Sequence, residues 1–430
     1  MKVALLARAV FPIHGYGGLE RHVYDLARAL AERGLAITLI TPPPSDGREF
    51  TSESIHPAVT AEFVPYYTFP LANRRGTTVL DRSTAYPLWG LRAGRRALEL
   101  VRQRRADIVH GFGASVLGYA RRRRVAASEG RPRDREPAAN TDATAPLVLN
   151  PQGLEEFGAT DPSRAPLKRA AYLPLRKSVL LCARAADSVI ATDRSLEPYV
   201  LRHLGIPRER MTTIPNALDL RALDTLTEQA MRSVGHLRME HDIQPGERVL
   251  LSVGRLEASK GFHVLLRALA AVRDHGSLDV HPWRWVALGD GPYRPMLEVL
   301  ASELGLDAHV RFLGRVTDEE MHTWHQLSTL FIHPTLYEGS SLVTLEAMAH
   351  RRAVVASAAG GIPDKVRPGV NGWLVPPGDT SALAAAISGA VADPARLAHY
   401  GLAGRTIVER EFSWTAAGDA TVALYRRLLA

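Results

Sequence analysis

Short apolar runs alternate with amphipathic helical stretches along this chain, and the alternation is played through twice. A chain built this way folds into βαβ units, because a parallel strand pair needs a helical crossover. In the first half the strand-like runs are Val3 to Leu6, Ala36 to Thr41, Asp107 to His110, Pro146 to Asn150, Ser188 to Thr192 and Met211 to Pro215. In the second they are Val249 to Val253, Trp285 to Gly289, Val310 to Leu313, Leu330 to His333, Ala353 to Ala356 and Trp373 to Val375. Leu19, Val23, Leu26, Ala27 and Leu30 share one helical face, as do Leu265, Leu269 and Val272. Each half therefore predicts a doubly wound α/β sheet, which binds ligands at the carboxyl ends of its strands.

The 430 residues suffice for two such cores. The pattern predicts a Rossmann-like domain over 1–218 and a second over 219–411, entered through a polar helical connector that reaches about Gly246. A terminal helix over 412–430 offers Trp414, Leu424, Leu428 and Leu429 for packing back toward the first domain. A ligand is expected in a cleft between the two halves. Arg121 to Ala145 has too few apolar residues to offset the entropy of ordering and predicts a mobile loop.

Charge and cysteine usage narrow the partners. The net charge of +8 favours anionic ones. Arg92, Arg95, Arg96, Arg102, Arg104 and Arg105 crowd one predicted helix, and Arg121 to Arg124 form a run. Two readings stay open: a solvated basic face, or peripheral contact with an anionic membrane, where each cation contributes about 1 kcal/mol. Nucleic acid is not expected, since aromatic residues do not interleave with these arginines. No apolar run approaches the ~20 residues of a membrane helix, and Met1 to Ala9 reads as a first strand rather than a signal peptide. A lone cysteine, Cys182, allows no intrachain disulfide and no cysteine metal site, which fits the cytoplasm.

Four glycine-bearing turns follow predicted strands. Gly15-Tyr16-Gly17-Gly18-Leu19-Glu20 opens a helix, so its glycines and free amides suit an anion or a sugar, or simply a tight turn. Gly254 to Gly261 carries Arg255 and Lys260, a planar fork and a point charge that together can neutralise a diphosphate without a metal; two surface cations are the plainer alternative. Pro334 to Met348 runs from a strand end through a Gly-Ser-Ser turn into a helix. There the amides around Ser340, Ser341 and Leu342 suit a phosphate, and Glu338 and Glu346 can reach sugar and ribose hydroxyls. Glu346 also reads as an ordinary helix residue. Ala359 to Asp364 pairs two glycines with Pro363 at a helix start. His110 reads as the end of a strand beside two glycines, a place that favours a cleft-facing role, and Asn150 and Gln152 end the next strand as candidate acceptor contacts.

Taken in this order and spacing, the chain resembles glycosyltransferase family 4, whose members have the two-domain GT-B fold. The resemblance rests on Glu338 and Glu346 in a Glu-x7-Glu pattern, Arg255 and Lys260 in an Arg-x4-Lys pattern, and Gly360-Gly361-Ile362-Pro363. Gly289-Asp290-Gly291-Pro292, Pro215-Asn216 and Gly17-Gly18-Leu19-Glu20 also look familial. It implies a retaining, metal-independent transfer of a hexose-type sugar from a UDP- or GDP-type donor, with no cofactor, to a glycan, lipid-linked or small-molecule acceptor at the inner membrane face. Arg255 and Lys260 would bind the diphosphate, Glu338 the sugar and Glu346 the ribose. Gly314 and Val316 would approach the base through backbone atoms. Gly17 and Gly18 would close on the diphosphate, and His110 would sit near the transferring sugar. The sequence departs from the pattern in the Gly-Ser-Ser that follows Glu338 and in Asp364, where Glu is common. An epimerase of the same fold and a non-catalytic nucleotide-sugar-binding subunit are the rival readings.

Overall fold

The computed structural model describes residues 1–15, 17–44, 54–68, 77–128, 144–151, 157, 170–276 and 281–430. They form two compact units, Met1–Asn216 with Trp414–Ala430, and Ala217–Ser413.

The first unit holds β1 (Lys2–Leu6), β2 (Ala36–Thr41), β3 (Val59–Phe63), β4 (Ile108–Phe112), β5 (Leu147–Asn150), β6 (Ser188–Ala191) and β7 (Met211–Thr213). Its helices are α1 (Gly18–Ala31), α2 (Thr77–Arg102), α3 (Leu117–Ser128), α4 (Leu173–Ala185) and α5 (Glu197–Leu204). The second holds β8 (Arg248–Val253), β9 (Trp283–Leu288), β10 (Val310–Gly314), β11 (Leu330–His333), β12 (Val354–Ser357) and β13 (Gly372–Val375). Its helices are α6 (Leu220–Glu240), α7 (Phe262–Asp274), α8 (Arg294–Glu303), α9 (Asp318–Leu327), α10 (Leu342–Ala349), α11 (Ile362–Lys365), α12 (Thr380–Val391) and α13 (Pro394–Glu411), and α14 (Trp414–Leu429) returns to the first unit.

Both sheets are parallel, ordered β3-β2-β1-β4-β5-β6-β7 and β10-β9-β8-β11-β12-β13. The chain winds outward from β1 and then restarts at β4, so β1 and β4 flank the point where strand order reverses; β8 and β11 do the same in the second sheet. The second sheet is covered on both faces. Leu265, Leu269, Trp285 and Ile387 lie in one core, and Leu251, Phe331, Leu345 and Val408 in the other. Coverage on both faces is why its strands read as nearly continuous apolar runs.

Several sequence expectations shift. β3 was not legible because only Val59 of its five residues is buried. The segment from Arg121 begins as helix rather than loop, since α3 continues to Ser128 with Arg123 paired to Asp187; residues 129–143 lie outside the described ones. In α14 the buried residues include Trp414, Leu424 and Tyr425, while Leu429 is exposed. This helix is held to the turn after α1 by Arg33, whose Nε donates to Asp419 Oδ1 at 2.7 Å. Part of the basic surface is already neutralised, as Arg96 and Arg105 both pair with Glu62.

Candidate functional site

Five turns of the second unit follow five adjacent strands, so the sheet delivers them to one edge. Glycines at the contact points let them approach closely. Gly261 has φ +69°, and a Cβ there would lie 2.1 Å from the Pro334 carbonyl oxygen. Gly360 has φ +54°, and a Cβ there would lie 1.8 Å from the Glu338 carbonyl oxygen. No other residue type fits either position. The turn after β8 is laced to the turn after β11, because Ser259 O accepts from Leu336 N at 2.8 Å and from Thr335 Oγ1 at 3.2 Å. The turn after β12 joins them, with Gly361 N donating to Gly339 O at 2.8 Å.

This lacing brings Lys260 and Glu338 together. Lys260 Nζ donates to Glu338 Oε2 at 2.9 Å, and His333 Nε2 meets the same oxygen at 2.9 Å. Glu338 Oε1 accepts from the Gly339 amide at 3.1 Å. Burial alone would raise the Glu338 pKa, but the His333 hydrogen bond and the Lys260 charge outweigh it and hold the carboxyl at about 2. His333 itself is 1% exposed, and its Nδ1 finds no partner among the described residues. In the sequence His333 is marked only as a strand end; its spacing of five from Glu338 becomes meaningful once the turn folds back.

Arg255 is placed differently. Its guanidinium is 73% exposed and meets Glu257 at 2.8 Å. An exposed pair of this kind contributes little, so the side chain is cheap to redirect toward a ligand. Ser341 caps α10 by accepting from Thr344 N at 3.4 Å. The remaining amides of that first turn, including Leu342, have no intrahelical acceptor. Ser340 Oγ accepts instead from Lys365, a fully buried lysine not singled out in the sequence. Glu346 is half-buried one turn into α10. Gly314 has φ +76°, and its carbonyl accepts from Gly289 N at 2.6 Å. The Val316 side chain packs on the core and leaves its backbone at the sheet edge.

In the first unit, Gly17 is the N-cap of α1 and Gly18 its first residue, both exposed after β1. His110 requires a correction. It is the middle residue of β4, because the strand continues to Phe112 opposite Asn150. It is 1% exposed, with Nδ1 2.6 Å from the Tyr425 hydroxyl of α14. Burial, reinforced by His22, depresses its pKa to about 3, so the ring is neutral. Its Nε2 has no partner among the described residues, and His110 lines a small hollow with His22, Asn150, Trp414 and Thr421. Asn150 is 2% exposed, and Gln152 lies outside the described residues.

Comparison with known proteins decides the family. The profile of Glycosyltransferase Family 4 matches residues 16–222, and that of Glycosyl transferases group 1 matches 235–406. The chain belongs to glycosyltransferase family 4. D-inositol 3-phosphate glycosyltransferase 1 of Catenulispora acidiphila is 32% identical over 248 residues, 56% of this chain and 57% of that protein. The chain thus spans little more than half the length of this curated relative. Among solved structures, sucrose-phosphate synthase from Thermosynechococcus elongatus superposes with a TM-score of 0.72 at 22% identity, covering 100% of this chain and 99% of its own. HepE of Anabaena in complex with UDP gives 0.68 at 20% identity over 99% and 100%. These likenesses give this family 4 chain the GT-B plan of two Rossmann-like units.

Proposed function

We propose that this chain is a retaining glycosyltransferase that moves a hexose-type sugar from a nucleoside diphosphate sugar to a glycan, glycolipid or small-molecule acceptor. The observation that carries the reading is the junction of Lys260 and Glu338 at the reversal point of the second sheet, 2.9 Å apart beside open helix amides. A cation and a fixed carboxylate side by side suit a ligand that offers a diphosphate next to sugar hydroxyls. The family profiles and a neighbour whose structure holds UDP support it.

In this reading Lys260 and Arg255 carry the diphosphate charge that a metal carries elsewhere, Glu338 holds the sugar and Glu346 the ribose. Gly17, Gly18, Gly314, Val316, Ser340, Ser341 and Leu342 contribute backbone contacts to the donor. His110 would serve the acceptor through Nε2, the ring nitrogen that no group among the described residues engages. The bond from C1 of the sugar to the diphosphate breaks, the acceptor oxygen bonds to C1 on the same face, and the acceptor proton passes to the departing phosphate oxygen. The protein's share is positioning and stabilising that departing charge. No cofactor enters the scheme.

The acceptor side is proposed from charge. The net +8, with exposed Leu88 beside Arg92 and Arg95 on α2, suits an anionic cytoplasmic membrane face. No helix among the described residues is long and apolar enough to cross a membrane. The test is incubation with UDP-, GDP- and ADP-sugars and a panel of glycan and lipid acceptors. Acceptor-dependent release of nucleoside diphosphate, with the anomeric configuration kept, is expected. Conversion of the donor to an epimer without acceptor would overturn the reading, as would binding with no release across the panel.

A further inference from the structure

Lys365 is the most deeply buried cation of the second unit, with a side chain 0% exposed. It ends the short helix α11, just past the Gly360-Gly361 turn. Its ammonium donates to Ser340 Oγ at 3.2 Å and to the Gly361 carbonyl at 3.2 Å, and it lies 5.6 Å from the centroid of the Phe412 ring. Its own carbonyl accepts from Asn371 Nδ2 at 2.9 Å, which fixes the backbone from which it reaches. One side chain thus ties the turn that leads into α10 to the turn after β12.

Burying an ammonium is costly, and an apolar residue of similar volume in such a place is often neutral or stabilising. Packing therefore gives no reason for a lysine here. Its targets do. Ser340 adjoins the α10 amides, and Gly361 N holds the Gly339 carbonyl. The cation also adds its charge behind the positive end of α10.

Resting on the function proposed above, we propose that Lys365 is a positioning residue for the donor diphosphate: it holds the Ser340 turn in its binding conformation and raises the local positive potential, without touching the ligand.

The experiment compares wild type with Lys365→Met and Ser340→Ala by calorimetric titration of UDP, GDP and ADP, with the corresponding nucleosides as controls, and by thermal unfolding. Lys365→Met is expected to weaken diphosphate binding about tenfold, the loss of one charged hydrogen bond. Nucleoside binding and melting temperature should hold or rise, a split that a purely structural lysine would not give. Ser340→Ala should weaken binding less, and the double variant should lose less than the product of the two single effects. If Lys365→Met does not fold, the Ser340→Ala contrast between diphosphate and nucleoside decides. Unchanged diphosphate affinity in the folded variants, or equal loss for nucleoside and diphosphate, overturns the role of Lys365 alone. Wild type that binds none of the three diphosphates overturns the donor-site reading and this inference with it.

Discussion

Lys260 and Glu338, 78 positions apart in the chain, meet at 2.9 Å because Gly261 lets one turn close onto the carbonyl of Pro334. The pair is partly shielded, with side chains 22% and 14% exposed, so each group fixes the other's direction. Replacing Lys260 with Ala should lower kcat/KM by about 10²–10³-fold, the typical cost of removing one preorganised charge stabiliser. Nucleotide-release assays at several donor concentrations would show it; near-wild-type turnover would remove Lys260 from the chemistry.

Arg255 should behave differently in stability than in rate. Its side chain is 73% exposed and its contact with Glu257 is a surface one. Arg255→Ala should leave the unfolding free energy within the scatter of surface substitutions, about ±0.5 kcal/mol, and the melting temperature nearly unchanged. Turnover should fall about 100-fold or more. A variant that lost both together would mark Arg255 as structural.

Gly360→Ala should destabilise the second unit. The added methyl would sit 1.8 Å from the Glu338 carbonyl oxygen on a backbone with φ +54°. Strain and overpacking of this kind cost about 1–3 kcal/mol. Urea denaturation should show a lower midpoint at unchanged slope, and an unaltered midpoint would contradict the close approach.

Acid should unfold the second unit early because of a buried histidine cluster. His322 Nδ1 meets His350 Nε2 at 2.6 Å, and His325 stacks on His350 with ring centroids 5.0 Å apart. Burial and neighbouring cations (Arg352, and Arg405 for His350) keep His325 well below its usual pKa and bring His350 to about 3. The folded state thus prefers both rings neutral. That contribution is fully present above the ordinary value near 6.5 and is lost as pH falls below it; for His350 the loss runs from there toward 3, at about 1.4 kcal/mol per pH unit. Glu338 adds a separate limb: held at about 2, it stabilises above its ordinary 4.5 and loses that contribution as pH falls from there through 2. Melting temperatures from pH 7 to 5 should drop steeply in wild type and less in His325→Phe.

Tyr425→Phe tests the terminal helix. The variant removes the partner of His110 Nδ1 and leaves a buried nitrogen unpaired, at a cost of about 1–3 kcal/mol. Hydrogen exchange should show faster opening of α14 and β4. Protection equal to wild type would deny that this bond anchors the helix.

Local pattern alone predicts the two parallel sheets, because each strand covered on both faces leaves an unbroken apolar run, and each crossover helix leaves a 3.6-residue stripe. It also marked Arg255, Lys260, Glu338 and the paired glycines, since polar and glycine residues stand out where an apolar run stops. β3 escaped because a strand with one buried residue has no apolar signature. Which of these groups meet was set by long-range packing. Strand order in the sheet, which local pattern does not encode, set the turns after β8, β11 and β12 side by side. That adjacency joined Lys260, His333 and Glu338, and brought Lys365 to Ser340. The same long-range packing moved His110 from a supposed strand end to a buried contact with Tyr425, 315 residues away. Such contacts depend on where distant segments are carried by the fold, so no window of neighbouring residues could have revealed them.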